Sequence, residues 1–198
     1  MAGGGKSNGR GCGGGADPSY CFSFRIMWRT NGMGEAYIYV PEGKQAPDFC
    51  TYYPPCRGDK VVPCTACNFA AGVSMGRGGF TFNRGQWNKI TMTLILNSPN
   101  VTDGVLEVKH NDRVAIRYDK VNWRQIESIW IEGVEVSTWF GGSDDTWAPP
   151  YNTHIMMRNF RAWRSDPPAV PTARSAALMF SGDMEQVLEV EEMTDIAD

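Results

Sequence analysis

Cys21-Phe22-Ser23-Phe24-Arg25-Ile26-Met27-Trp28-Arg29 decides how this chain folds. Phe22, Phe24, Ile26 and Trp28 share one parity and Cys21, Ser23, Arg25, Met27 and Arg29 the other, which is the period-two signature of a strand with one buried face. Thr30-Asn31-Gly32-Met33-Gly34 supplies turn chemistry. A second alternation follows, with Ala36, Ile38 and Val40 on one side and Tyr37 and Tyr39 on the other. A hairpin of the two keeps both apolar sets on one face only if paired positions have an even sum. Centring the turn on Gly32 sets Met27 opposite Tyr37 and Arg25 opposite Tyr39. Ser23, Arg25, Tyr37 and Tyr39 then share the face opposite the apolar one.

Working outward, strand patterns recur at 79–82, 89–96, 105–110, 113–118, 126–131, 134–140 and 154–163, and no long helix is signalled. Many short strands at close spacing with Gly, Asn and Pro turns predict an all-β fold, an antiparallel β-sandwich or β-jelly roll. Residues 1–19 are glycine-rich and read as loop. Residues 41–72, rich in Pro, Cys and Gly without periodicity, read as a long insertion that disulfides would order. Ser165-Asp166-Pro167-Pro168 ends the last strand. Beyond it, 166–198 is expected to be a disordered acidic tail, with a short amphipathic helix as an option within 176–190. The organisation is therefore one domain over 1–165 with an insertion and a tail, as the length of 198 residues suggests.

The net charge of −3 hides an asymmetry. Eight acids against Arg174 leave 166–198 at −7, so the remaining body stands at +4. A basic body suits an anionic polymer, and equally an ordinary solvated surface. No apolar run approaches the ~18 residues of a membrane span, and neither a phosphate loop nor a basic-aromatic RNA pattern is present. Neither membrane nor nucleic acid is expected as a partner.

Six cysteines stand at 12, 21, 50, 56, 64 and 67. An even number in a chain dense in Gly and Pro favours disulfides and an oxidising, extracellular compartment, although no signal peptide is visible. The rival is a zinc-stabilised interaction domain on Cys64-Thr65-Ala66-Cys67, whose two-residue spacer suits a zinc knuckle. Asn100-Val101-Thr102 is a glycosylation sequon that fits secretion. His110, at a strand end, and His154 lie far apart and show no triad or metal spacing, so both are read as surface residues. No metal site or cofactor is expected.

A guanidinium, two phenols and a hydroxyl on one strand face make a plausible site for an acidic sugar, against the alternative of aromatics that merely favour sheets and stack on arginine. Ser23-Phe24-Arg25 and Tyr37-Ile38-Tyr39, preceded by Lys6 in Gly4-Gly5-Lys6, resemble the active-site pattern of polysaccharide lyase family 14, the jelly-roll alginate and glucuronan lyases. The likeness continues through Met27-Trp28-Arg29, Gly34-Glu35-Ala36-Tyr37-Ile38-Tyr39-Val40-Pro41-Glu42, Gly76-Arg77-Gly78, Phe80-Thr81-Phe82, Gly85-Gln86-Trp87-Asn88 and Phe140-Gly141-Gly142-Ser143-Asp144, in order over about residues 3 to 163. It implies a jelly roll without some of the family's N-terminal strands, acting on a polyuronate. Apart from the resemblance, a monomer is expected.

The chemistry implied is removal of the C5 proton of a uronate and expulsion of the oxygen on C4. Arg25 would neutralise the carboxylate, since its planar fork matches one bidentately. Lys6 or a tyrosine would be the base and a tyrosine the proton donor. Their reference pKa values of about 10 require lowering by nearby positive charge, which Arg25 can supply to Tyr37 or Tyr39. The assumed register singles out Tyr39. Ser23 would hold a substrate group. The alternative is a non-catalytic carbohydrate-binding module that uses the same residues without turnover.

Overall fold

A computed structural model describes residues 1–5, 12–13, 18–57, 63–136, 138, 144–148, 154–162 and 188–195. Among the described residues eleven strands run in chain order: β1 Ala2–Gly5, β2 Cys21–Trp28, β3 Met33–Tyr39, β4 Cys64–Asn68, β5 Gly72–Thr81, β6 Trp87–Ile95, β7 Gly104–His110, β8 Arg113–Val121, β9 Gly133–Val134, β10 His154–Arg161 and β11 Leu188–Asp195. They form a six-stranded sheet ordered β4-β5-β3-β2-β1-β9 and a five-stranded sheet ordered β10-β11-β6-β7-β8, with every strand pair antiparallel. Among the described residues the only helical pieces are short 3-10 turns. The all-β jelly-roll expectation holds.

The parity of β2 and β3 builds the core. Phe22, Phe24, Ala36 and Ile38 are fully buried and meet Met92, Leu94, Leu106, Val108 and Ile116 of the facing sheet in one cluster. Trp123, also fully buried, lies 5.7 Å from Phe22 and 6.0 Å from Phe24 between ring centroids and closes the end of this layer.

Several expectations are corrected. The hairpin keeps the even-sum rule but is centred on Asn31: Ser23 pairs with Tyr39, Arg25 with Tyr37 and Met27 with Glu35. The cause is the turn, in which Asn31 takes a left-handed conformation (φ 62°), Gly32 N–H donates to the Arg29 carbonyl, and Arg29 N–H donates to the Met33 carbonyl. Glycine-rich 2–5, expected as loop, is a strand between β2 and β9. Here glycine serves close approach, because a Cβ on Gly4 would lie 1.5 Å from the Trp130 carbonyl oxygen.

Residues 126–131, expected as a strand, form turns instead. Buried Arg124 donates to the carbonyls of Glu127 and Ile129, so these groups need no neighbouring strand. Of 134–140 only Val134 lies in a strand, paired through β1, and residues 137 and 139–140 are outside the described ones. The acidic tail is interrupted by β11, which runs between β10 and β6. Acid content does not prevent main-chain pairing, and the β6 edge offers unpaired N–H and C=O groups. The rest of 166–198, with most of the 176–190 segment, lies outside the described residues.

The cysteines are all in disulfides, Cys12–Cys21, Cys50–Cys67 and Cys56–Cys64, so the zinc knuckle is overturned. Two of these bonds staple the 41–72 insertion, which contains β4 and docks on the five-stranded sheet. Phe49 is buried against Phe69 and Tyr118, while Asp48 accepts from Tyr118 (2.9 Å) and Lys120 (2.8 Å).

Two outcomes follow from these contacts. Thiol titration of the denatured, unreduced protein should find no free cysteine, and a chelator should leave the melting temperature unchanged; six titrating thiols and a chelator-sensitive melt would restore the zinc site. Trp123→Ala should destabilise the fold by about 3–5 kcal/mol in urea unfolding, the usual cost of emptying an aromatic site in a packed core.

Candidate active site

The face of β2 and β3 turned away from the core is itself covered. Cys21, Ser23, Glu35 and Tyr39 are buried there although none of them points into the sandwich. Two segments cover it. One is Cys12, bonded to Cys21, whose carbonyl accepts from Ser23 Oγ (3.0 Å) and Arg25 Nη2 (2.9 Å). The other is the Phe69–Ala71 turn between β4 and β5, shaped by Asn68, whose side-chain and main-chain oxygens both accept from Ala71 N–H.

The Ala71 carbonyl receives the hydroxyls of both tyrosines: Tyr39 donates at 2.7 Å, and Tyr37 donates to the same oxygen. The two rings meet edge to face with centroids 5.6 Å apart, so two phenols on one strand converge on one acceptor. Gly72 makes this possible. Its φ of +110° suits glycine, and a Cβ there would stand 2.6 Å from the Tyr37 ring.

Arg25 lies across the strand from Tyr37, yet its guanidinium carbon sits 5.0 Å over the ring of Tyr39. Its Nε is buried and finds no hydrogen-bond partner among the described residues. A buried donor left unmade costs about 1–3 kcal/mol, and such groups in folded proteins call for an explanation. An acceptor brought by a ligand is one.

Beyond Tyr37 the face carries a second charged group. Glu35, fully buried, accepts from Arg29, Ser74 and Arg77. Burial, followed by the neighbouring Tyr39, pushes the Tyr37 phenol up to about 12, while Arg29 acts in the opposite direction. The expectation that positive charge lowers this phenol is therefore corrected: desolvation outweighs the guanidinium.

Arg25, Tyr37 and Tyr39 are thus brought together, as the shared parity implies. Ser23 is placed differently. It has no exposed surface, and its hydroxyl donates to the Cys12 carbonyl, the same oxygen that Arg25 Nη2 holds. Lys6 lies outside the described residues. His110, expected at the surface, is half-buried 5.2 Å from the Phe80 ring, with Nε2 3.0 Å from Asn88 Oδ1, and burial lowers its pKa. Asp144 accepts from Thr146 N–H, as a turn residue does. Among the described residues no group of three or more His, Cys, Asp and Glu side chains is arranged to hold a metal ion.

Sequence reasoning missed Glu35, Arg29, Ser74 and Arg77 as one cluster. Glu35 shares the parity of Tyr37 and Tyr39, and Arg29 that of Arg25, which was the available signal. Ser74 and Arg77 arrive by the pairing of β5 with β3, across a register shift that no local pattern announces.

No curated protein sequence matches the chain. Among solved structures, the marine PL-14 alginate lyase from Aplysia kurodai superposes with a TM-score of 0.60 at 25% sequence identity, covering 98% of this chain and 61% of that one. The chain therefore spans less than two thirds of that lyase's length. The model of the family described as Polysaccharide lyase 14 matches residues 1–160, which takes in β1 to β9 and both strands that carry Arg25 and the two tyrosines. On that match, the chain belongs to polysaccharide lyase family 14.

Proposed function

We propose that this chain is the catalytic body of an extracellular, monomeric lyase that cleaves a uronate polymer, alginate or glucuronan, by β-elimination. One observation carries the reading: the hydroxyls of Tyr37 and Tyr39 converge on a single oxygen beside the Arg25 guanidinium. Family membership supports the lyase reading, and three disulfides support the extracellular one.

β-Elimination requires three services. A base takes the proton from C5, the carboxylate carries the developing charge, and the C4–O bond breaks to leave a C4=C5 double bond while the departing oxygen gains a proton. Arg25 serves the carboxylate. Its guanidinium is always charged, and the buried Nε is the donor that a carboxylate oxygen would complete.

Tyr37, with its phenol pushed up to about 12, keeps its proton at neutral pH and is the donor to the leaving oxygen. Tyr39, whose ring lies 5.0 Å under the Arg25 guanidinium that would hold the carboxylate, is the base. Lys6 is the other candidate base. The Ala71 carbonyl holds both hydroxyls, so the polymer enters by displacing the 69–71 turn.

A carbohydrate-binding module without turnover is the second reading, favoured by the same contact, since phenols held by a main-chain carbonyl are not free to move protons. Mixing the protein with alginate and with glucuronan and following the ultraviolet absorbance of an unsaturated uronate separates the two. Growth of the band with either polymer supports the lyase, and binding with no growth supports the module.

Two substitutions test the roles. Arg25→Lys keeps the charge and loses the fork, and should lower kcat/KM by about 100-fold or more, the scale of removing one oriented donor from a developing anion. Near-native turnover in that variant removes the clamp from the mechanism. Tyr37→Phe and Tyr39→Phe delete only a hydroxyl, and each should lower kcat by about 100- to 10,000-fold with little change in KM. A Tyr39→Phe enzyme that keeps its kcat transfers the role of base to Lys6.

A further inference from the structure

Glu35 takes no part in the proton transfers above, yet among the described residues it is the most heavily bonded carboxylate on this face. Its side chain has no exposed surface. Arg29 donates to Oε1 from Nε (3.0 Å) and Nη2 (2.7 Å), while Ser74 Oγ (2.6 Å) and Arg77 Nε (2.7 Å) donate to Oε2. The two guanidinium side chains are each 26% exposed, so the cluster is a buried acid closed by two half-open cations.

Such an arrangement is a poor source of stability, because well-packed apolar residues of similar volume often do as well or better than a buried ion pair. Its presence needs another reason, and the neighbourhood of Tyr37 gives one. Arg29 Cζ lies 5.8 Å from the Tyr37 ring centroid. Ser74 is the register partner of Tyr37 on β5. Two of the groups that flank this ring are therefore tied to one carboxylate, and Tyr39 bounds the ring edge-on. The register shift in the β3–β5 pairing, between Gly34 and Ala36, leaves extra β5 residues opposite Glu35, and Arg77 is among them. Bulged strands re-aim side chains in this way.

We propose that Glu35 is a positioning residue for Tyr37: by holding Arg29 through a two-pronged bond and Ser74 through a short one, it fixes the walls that aim the Tyr37 hydroxyl. The catalytic consequence rests on the lyase reading; the positioning itself does not. The same network also bears on how firmly the phenol keeps its proton, since Arg29 draws its pKa down and Glu35 pushes it up.

The test has two arms, both on the full chain. In the first, all tyrosines are replaced by 3-fluorotyrosine and followed by fluorine NMR without substrate, with Tyr37→Phe assigning the Tyr37 resonance. Glu35→Gln puts an amide donor against two guanidiniums and should shift or broaden the Tyr37 resonance, leaving those of Tyr53 and Tyr118 in place. Arg29→Gln, which leaves Glu35 bonded to Arg77 and Ser74, should do the same and serves if Glu35→Gln does not fold. An unmoved Tyr37 resonance in a folded variant overturns the proposal, as does a general shift of all the tyrosines, which would mark a fold-wide role.

In the second arm, Glu35→Gln should lower kcat on a polyuronate by about tenfold to 100-fold, the effect of a small misplacement of a reacting group, with KM within about twofold. An equal kcat overturns the proposal. If the unsubstituted protein cleaves no polyuronate, the lyase reading fails, and the substrate-free arm still decides the role of Glu35.

Discussion

The central pair of the six-stranded sheet, β2 and β3, is covered on both faces, and this constraint governs the rest of the molecule. One face meets the other sheet through Phe22, Phe24, Ala36 and Ile38, and ordinary apolar packing satisfies it. The other face carries Ser23, Arg25, Glu35, Tyr37 and Tyr39, and covering it strips water from polar groups that must then find partners. Ser23 and Arg25 find the Cys12 carbonyl, both tyrosines find the Ala71 carbonyl, and Glu35 finds two arginines and a serine. Only Arg25 Nε is left over among the groups described there, and it lies where the proposed chemistry asks for a carboxylate.

The disulfides belong to this covering. Cys12–Cys21 holds one cover to the first residue of β2, and Cys50–Cys67 with Cys56–Cys64 holds the insertion whose β4 ends at the second. Short segments that cross a polar face have little apolar surface with which to stay down, so covalent staples take over from packing. The insertion adds its own anchor on the far sheet through Phe49 and Asp48. A loop that is rich in Pro and Gly thereby delivers a single carbonyl oxygen to two phenols.

Electrostatically the face divides into two. Arg25 stands over Tyr39 with one donor unpaired, while Arg29 near Tyr37 is spent on Glu35. The phenols therefore sit beside guanidiniums of different standing, and burial raises Tyr37 against the pull of Arg29.

The sequence alone determined the sheet class and the side of the sheet on which the site lies. Period-two alternation is local: once 21–29 and 35–40 are strands, the parity of Arg25, Tyr37 and Tyr39 follows from the pleat, whatever the register. The resemblance carried by Ser23-Phe24-Arg25 and Tyr37-Ile38-Tyr39 led to the same family that the comparisons show. The register depended on how the turn closes: with Asn31 and Gly32 both left-handed, the hairpin centres on Asn31, which shifts each partner two positions from a turn centred on Gly32. Tertiary structure alone decided the rest, because it brings together residues far apart in the chain. Glycine-rich 2–5 is a strand because a sheet position beside Trp130 has no room for a side chain, and β11 pairs through its main chain, to which acidic composition is no guide. Ser23 is covered by a carbonyl eleven residues away in sequence, and Glu35 takes its partners Ser74 and Arg77 from 39 and 42 residues away, across a register shift without a local signature.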